Sequence, residues 1–144
     1  MQGTLLLGVA FALSAPALKE PSKKLDKLVG DWEVVALTLG GQKLNLNGVH
    51  IFYRFTSDDR WAQWYKDGDP PALARFTASP KGNPQAIDLH GRRGENQTSM
   101  LGIIGVEDDT LTLCVGDSRA RPTKFESTVD SKCILYVLRR VKEN

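Results

Sequence analysis

At 144 residues the chain is most simply one domain, long enough to build a single sizeable core. A hydrophobic content of 41% and a charged content of 25% exclude global disorder. The net charge of +2, with no basic stripe interleaved with aromatics, argues against a nucleic-acid binder.

The chain opens on "LLLGVAFALSAPA", an apolar run ending in small residues, with Ala15 and Ala17 in an A-x-A pattern. Residues 1–17 therefore read as a secretory signal peptide, too short for a comfortable membrane span. The signal is atypical, because "MQGT" carries no Lys or Arg, but charged "KEPSKK" follows at once, as a mature start would. The competing reading is a buried first strand or helix. No cysteine marks the cleavage site, so a lipid anchor is not indicated. The expected location is exported, periplasmic or extracellular, with a mature form that does not span a membrane. Residues 18–29 read as a short helix or linker, one to two turns around "PSKKLDKL" with Pro21 in the first turn. Residues 30–144 form the folded domain.

From residue 30 onward the pattern has period two and is broken repeatedly by turn residues, as in an antiparallel meander. The runs are "DWEVVALTL", a short "QKLNL", "VHIFYRFT", "RWAQWY", "ALARFTA", "QAIDLH", "TSMLGIIGV", "TLTLCV", "TKFEST" and "CILYVLRR". Between them lie Gly40-Gly41, Asn47-Gly48, Asp58-Asp59, "DGDPP", "SPKGNP", "GRRGEN", "EDD", "GDSRARP" and "VDSK", all turn chemistry. No strand–helix–strand alternation occurs, which excludes a parallel sheet and a nucleotide fold. The expected fold is all-β, an up-and-down meander closing into a barrel of 8–10 strands. Closure removes the exposed edges and needs an even number of strands. A two-sheet sandwich is the structural rival, although its long crossovers are not visible.

The segment "KLVGDW" before the first long run resembles the Gly-x-Trp start of the lipocalins and their calycin relatives. That resemblance implies that Trp32 closes one end of the barrel against a basic side chain of the last strand, here Arg139 or Arg140 in "LYVLRR". More of the chain, "KLVGDWEVV", "GGQKL", "NPQAIDL", "MLGIIGVEDDTLTLCV", "RPTKFES" and "LYVLRRV" in this order, is similar to the lipocalin-like domain abundant in planctomycete bacteria. That family is often exported and has no assigned function. Two departures stand out: His90 after "IDL", where a small polar residue is expected, and a tryptophan-rich "RWAQWYKDGDPPALARF".

Catalytic readings fare poorly. Asp88 and His90 share a strand face, but no Gly-x-Ser-x-Gly or comparable nucleophile accompanies them. Glu107, Asp108 and Asp109 lack calcium-loop spacing, and no Cys/His cluster has zinc spacing. The chain is read as non-catalytic, without metal or cofactor. Two features favour binding. Tyr53 and Phe55 share one strand face, and Trp61 and Tyr65 share a face of the next, so they either line a cavity or fill a core. Arg92, Arg93, Arg119 and Arg121 lie in two loops that a meander brings to one end, where a positive rim attracts anionic ligands. The expected function is binding of a small amphipathic or apolar ligand, with an anionic one also compatible. The alternative is a packed barrel that holds a protein or envelope partner.

Cys114 and Cys133 are expected to be free thiols. If "TKFEST" is a strand, it separates their two strands and puts the sulfurs at opposite ends of the sheet, beyond disulfide reach.

Overall fold

The computed structural model describes residues 26–69, 72–93, 96–117 and 119–142, without the side chains of residues 92, 93 and 96. The proposed signal and most of the proposed helix or linker lie outside these residues. Of the latter, Asp26–Val29 form a turn in which the Val29 N–H donates to the Asp26 carbonyl at 3.3 Å. No helix among the described residues is long and apolar enough to cross a membrane.

Nine strands follow: β1 (Gly30–Leu39), β2 (Gln42–Lys43), β3 (Ile51–Phe55), β4 (Arg60–Tyr65), β5 (Ala74–Gly82), β6 (Gln85–Arg93), β7 (Asn96–Glu107), β8 (Thr110–Val115) and β9 (Ile134–Arg140). All pairings are antiparallel, in the order β2-β1-β3-β4-β5-β6-β7-β8-β9, and β1 also pairs β9. The short β2 is an appendage on the end of β1, so eight strands make the closed up-and-down barrel. Of the two strand counts that the sequence leaves open, eight is the one formed. The tenth run, "TKFEST", is not a strand: residues 116–117 and 119–133 belong to an irregular strap between β8 and β9.

Strand β1 serves three neighbours because it bends. Its first residues pair β3 (Trp32 with Tyr53), its last pair β2 (Thr38 with Lys43), and from Trp32 to Leu39 it follows β9. The register with β9 shifts between Val34 and Ala36. That bulge turns Val35 outward and swaps which alternate residues face the core: Trp32 and Val34 before it, Leu37 after it.

One continuous core fills the barrel. Trp32, Tyr53, Phe55, Ile87, Leu89, Ile104, Leu111, Leu113 and Leu138 are essentially without exposed surface. The aromatic members pack on one another. Tyr53 stacks on Phe55 and Trp61 and meets Tyr136 edge-on, and Phe55 meets Phe76 edge-on. Such pairs add about 0.5–1.5 kcal/mol each beyond the area they bury.

Strand β4 pairs β5 at only two positions, Arg60 with Arg75 and Trp61 with Ala74. Strands β6 and β7, by contrast, pair continuously from Gln85 with Ile104 to Arg93 with Asn96. Their hairpin therefore projects past the start of β5. This step in the wall shapes the site described next.

Candidate functional site

The lower end of the barrel is closed by Trp32 and Arg140, which are cross-strand partners. The Arg140 guanidinium carbon lies 4.2 Å from the Trp32 ring centroid. Its nitrogens donate to the carbonyls of Val29 and Lys27 at 2.9 and 2.6 Å, and the Trp32 indole N–H donates to Leu28 at 2.9 Å. Arg140 is thus the basic partner, while Arg139 points to solvent. Gly30 explains the spacing of Gly-x-Trp: a Cβ there would sit 2.9 Å from an Arg140 nitrogen, and its φ of +136° suits glycine alone. Asp109 of the acidic hairpin ion-pairs with Arg140 and Lys142, so this carboxylate anchors the closing strand.

From the sequence, Tyr53, Phe55, Trp61 and Tyr65 either line a cavity or fill a core. The structure packs the first three together and sets Tyr65 apart. Tyr53 and Phe55 are core, and burial pushes the Tyr53 phenol well above its ordinary pKa, with Tyr136 adding to the effect. Trp61 is half-buried at the wall, its indole N–H donating to the His90 carbonyl at 2.9 Å. Tyr65 is 62% exposed and lines an outer cleft of about 510 Å³ with Val49, His50 and Lys66.

The arginine set divides as well. The side chains of Arg92 and Arg93 lie outside the described residues. Arg119 is exposed in a turn where its backbone N–H donates to Asp117. Arg121 leaves the rim: it lies on the outer wall, 2.7 Å from Asp88 and donating to the carbonyls of Ile87 and Gly102 at 3.1 and 2.9 Å. The Asp88 contact is poorly aligned for a hydrogen bond, so it acts as an ion pair while that oxygen has no other partner. Arg121 is therefore a clamp on the strap, not a free anion-binding group, because its donors are already spent on the barrel.

The fate of Asp88 bears on His90. The two share the outer face, as their spacing predicts, but no carboxylate orients the imidazole. His90 Nδ1 is hydrogen-bonded to Ser99 Oγ at 2.8 Å and Nε2 to Thr77 Oγ1 at 3.0 Å. The ring is thus held between two hydroxyls, one at each nitrogen. Reading the sequence missed Ser99, because centring the hairpin on "GRRGEN" would pair His90 with Gln97, whereas the register is two residues further on and pairs it with Ser99.

His90 and Ser99 line a cleft of about 740 Å³ at the step between β5 and the projecting hairpin. Ala72, Leu73 and Ala74 form one side, with Arg75 beside them. His90, Gly91, Gln97, Thr98 and Ser99 form the other. Among the described residues no ion pair engages Arg75, whose cross-strand partner Arg60 pairs with Asp58 instead. Among the described residues, no three His, Cys, Asp or Glu side chains gather as a metal site. No family model matches the chain, and no curated protein or solved structure matches it either.

Proposed function

We propose that the protein is an exported, non-catalytic binding protein of lipocalin-like type, and that its ligand sits in the shoulder cleft beside β5. The observation that carries this reading is the pairing of walls in that cleft. Ala72–Ala74 supply an apolar lining and His90 and Ser99 a polar one, with Arg75, which no ion pair engages among the described residues, at the edge. Its volume falls in the range of small-molecule sites, roughly 300–1,000 Å³. The ligand class is a small amphipathic molecule with an anionic head, such as a medium-chain carboxylate. Its tail lies on Leu73, and its head takes hydrogen bonds and charge from Arg75, beside the hydroxyl-held ring of His90. Isothermal titration with decanoate and with decanol tests this. Decanoate should bind more tightly, Arg75→Ala should remove the difference, and Leu73→Asp should weaken both. Equal affinities unaffected by either substitution would reject the site.

A second reading, an interaction module for a protein or envelope partner, is favoured by one observation. Leu39, Leu44, Val49, Tyr65 and Val129 are exposed apolar side chains on loops and strand ends at the end of the barrel away from Trp32, with Val129 79% exposed. Clustered apolar surface of this kind marks contact sites.

A further inference from the structure

Cys114 and Cys133 are neighbours. With no strand in the strap, β8 and β9 pair directly, Cys114 opposite Leu135 and Val115 opposite Ile134. Continuing that register puts Cys133 across from Gly116, one step along the same outer face. Gly116 has no side chain to occupy the space, and a Cβ there would lie 3.2 Å from the Cys133 sulfur. Cys133 can therefore lean over β8. The two cysteines share one buried cluster with Ile103, beneath the strap and separate from the barrel core.

The two thiols are not equivalent. Cys114 is wholly buried and donates to the Glu126 carbonyl at 3.4 Å. Cys133 keeps 6% of its surface and lines a cleft of about 210 Å³ with Pro122, Lys124, Glu126 and Ser131. Burial, reinforced by Cys133, pushes the Cys114 thiol up to about 11. The outer thiol is thus the one a reagent meets first.

We propose that Cys114 and Cys133 form a reversible disulfide site that latches the carboxyl end of the strap to β8. The oxidant is a low-molecular-weight or protein disulfide. The Cys133 thiolate attacks it, forming a mixed disulfide and releasing one thiol. The Cys114 thiolate then attacks the Cys133 sulfur, expels the second thiol and closes the internal bond. The balance is one disulfide reduced to two thiols and two protein thiols oxidised to one disulfide. The site is reversible because the same exchange runs backwards in excess thiol.

The test exposes the full chain, natively folded, to glutathione disulfide, then alkylates it and maps the peptides. The expected result is a monomer lighter by two hydrogens, with Cys114 and Cys133 joined, preceded by a transient glutathione adduct on Cys133. Cys114→Ala should trap that adduct, and Cys133→Ala should leave Cys114 unmodified. Should either variant misfold, the time course of the unaltered chain decides alone. Amide exchange across residues 119–132 should slow several-fold on oxidation while β3 and β4 stay unchanged. Two thiols still alkylatable, a permanent adduct, a dimer only, or an internal bond with unaltered strap exchange would each overturn the latch.

Discussion

Trp32 draws its environment from three separate places in the chain: Leu28 at its indole N–H, Arg140 on its face and Tyr53 across the sheet. Trp32→Ala should cost about 3–5 kcal/mol in urea denaturation, as loss of a buried large aromatic does. Arg140→Ala should cost less, about 1–3 kcal/mol, from the lost ring contact and the carbonyls left without donors. Arg139→Ala should stay within about 0.5 kcal/mol, because that side chain meets solvent. Similar costs for the two arginines would contradict the assignment of Arg140 as the closing group. Gly30→Ala tests the same contact from below, with about 1–3 kcal/mol lost to the backbone and to the displaced guanidinium. The aromatic and basic ends of this contact were legible in the sequence, since Gly-x-Trp and a terminal Arg pair mark them. Which arginine it is depends on the β1–β9 register, and the bulge at Val35 hides that from alternation alone.

At the scale of elements, period two located eight barrel strands but overread the strap. "TKFEST" alternates like a strand yet offers only Phe125 as a large apolar side chain. Phe125 packs on the outer wall over Gly105, where a Cβ would lie 3.5 Å from its ring. Reading it as a strand led to the wrong separation of the cysteines. Glycines at outward positions of β7 and after β8, Gly105 and Gly116, were the available sign that chain passes over the barrel there. Arg121 pins that chain, with Ser127 as a second tie: its hydroxyl donates to the Cys133 carbonyl at 2.6 Å and accepts from the Gly40 N–H. Arg121→Ala should release residues 119–126 to faster amide exchange while β1, β3 and β9 keep their protection. Uniform loss across the barrel would instead make Arg121 a core determinant. The Cys114 thiol gives the strap region a pH signature. Its folded value of about 11 lies above the ordinary 9.0, so its neutral form is the one the fold favours. That contribution is whole below pH 9 and is lost as pH rises from about 9 to 11, on the order of 1–3 kcal/mol. Subtracting the stability–pH curve of Cys114→Ala should isolate this fall; parallel curves would refute it.

At the scale of the molecule, even parity does two jobs. It lets β1 and β9 close the barrel, and it sets Trp32 and Arg140 at one end, leaving the step beside β5 and the apolar loops toward the other. The sequence conveys closure because edges must be disposed of, but it does not convey the two-residue contact of β4 with β5, and that short contact is what opens the cleft. Aromatics at inward positions can line a cavity or fill a core, and alternation alone does not decide; their mutual stacking makes Tyr53 and Phe55 filling. The central claim is that a ligand is held outside the barrel, in the shoulder cleft. The most direct measurement is a titration of ¹⁵N-labelled protein with decanoate, followed by amide shifts. Saturable shifts at Leu73, Arg75, His90, Gly91 and Ser99 are predicted, with Tyr53, Phe55 and Tyr136 unmoved. No saturable shift, or shifts centred on those three interior aromatics, would contradict it.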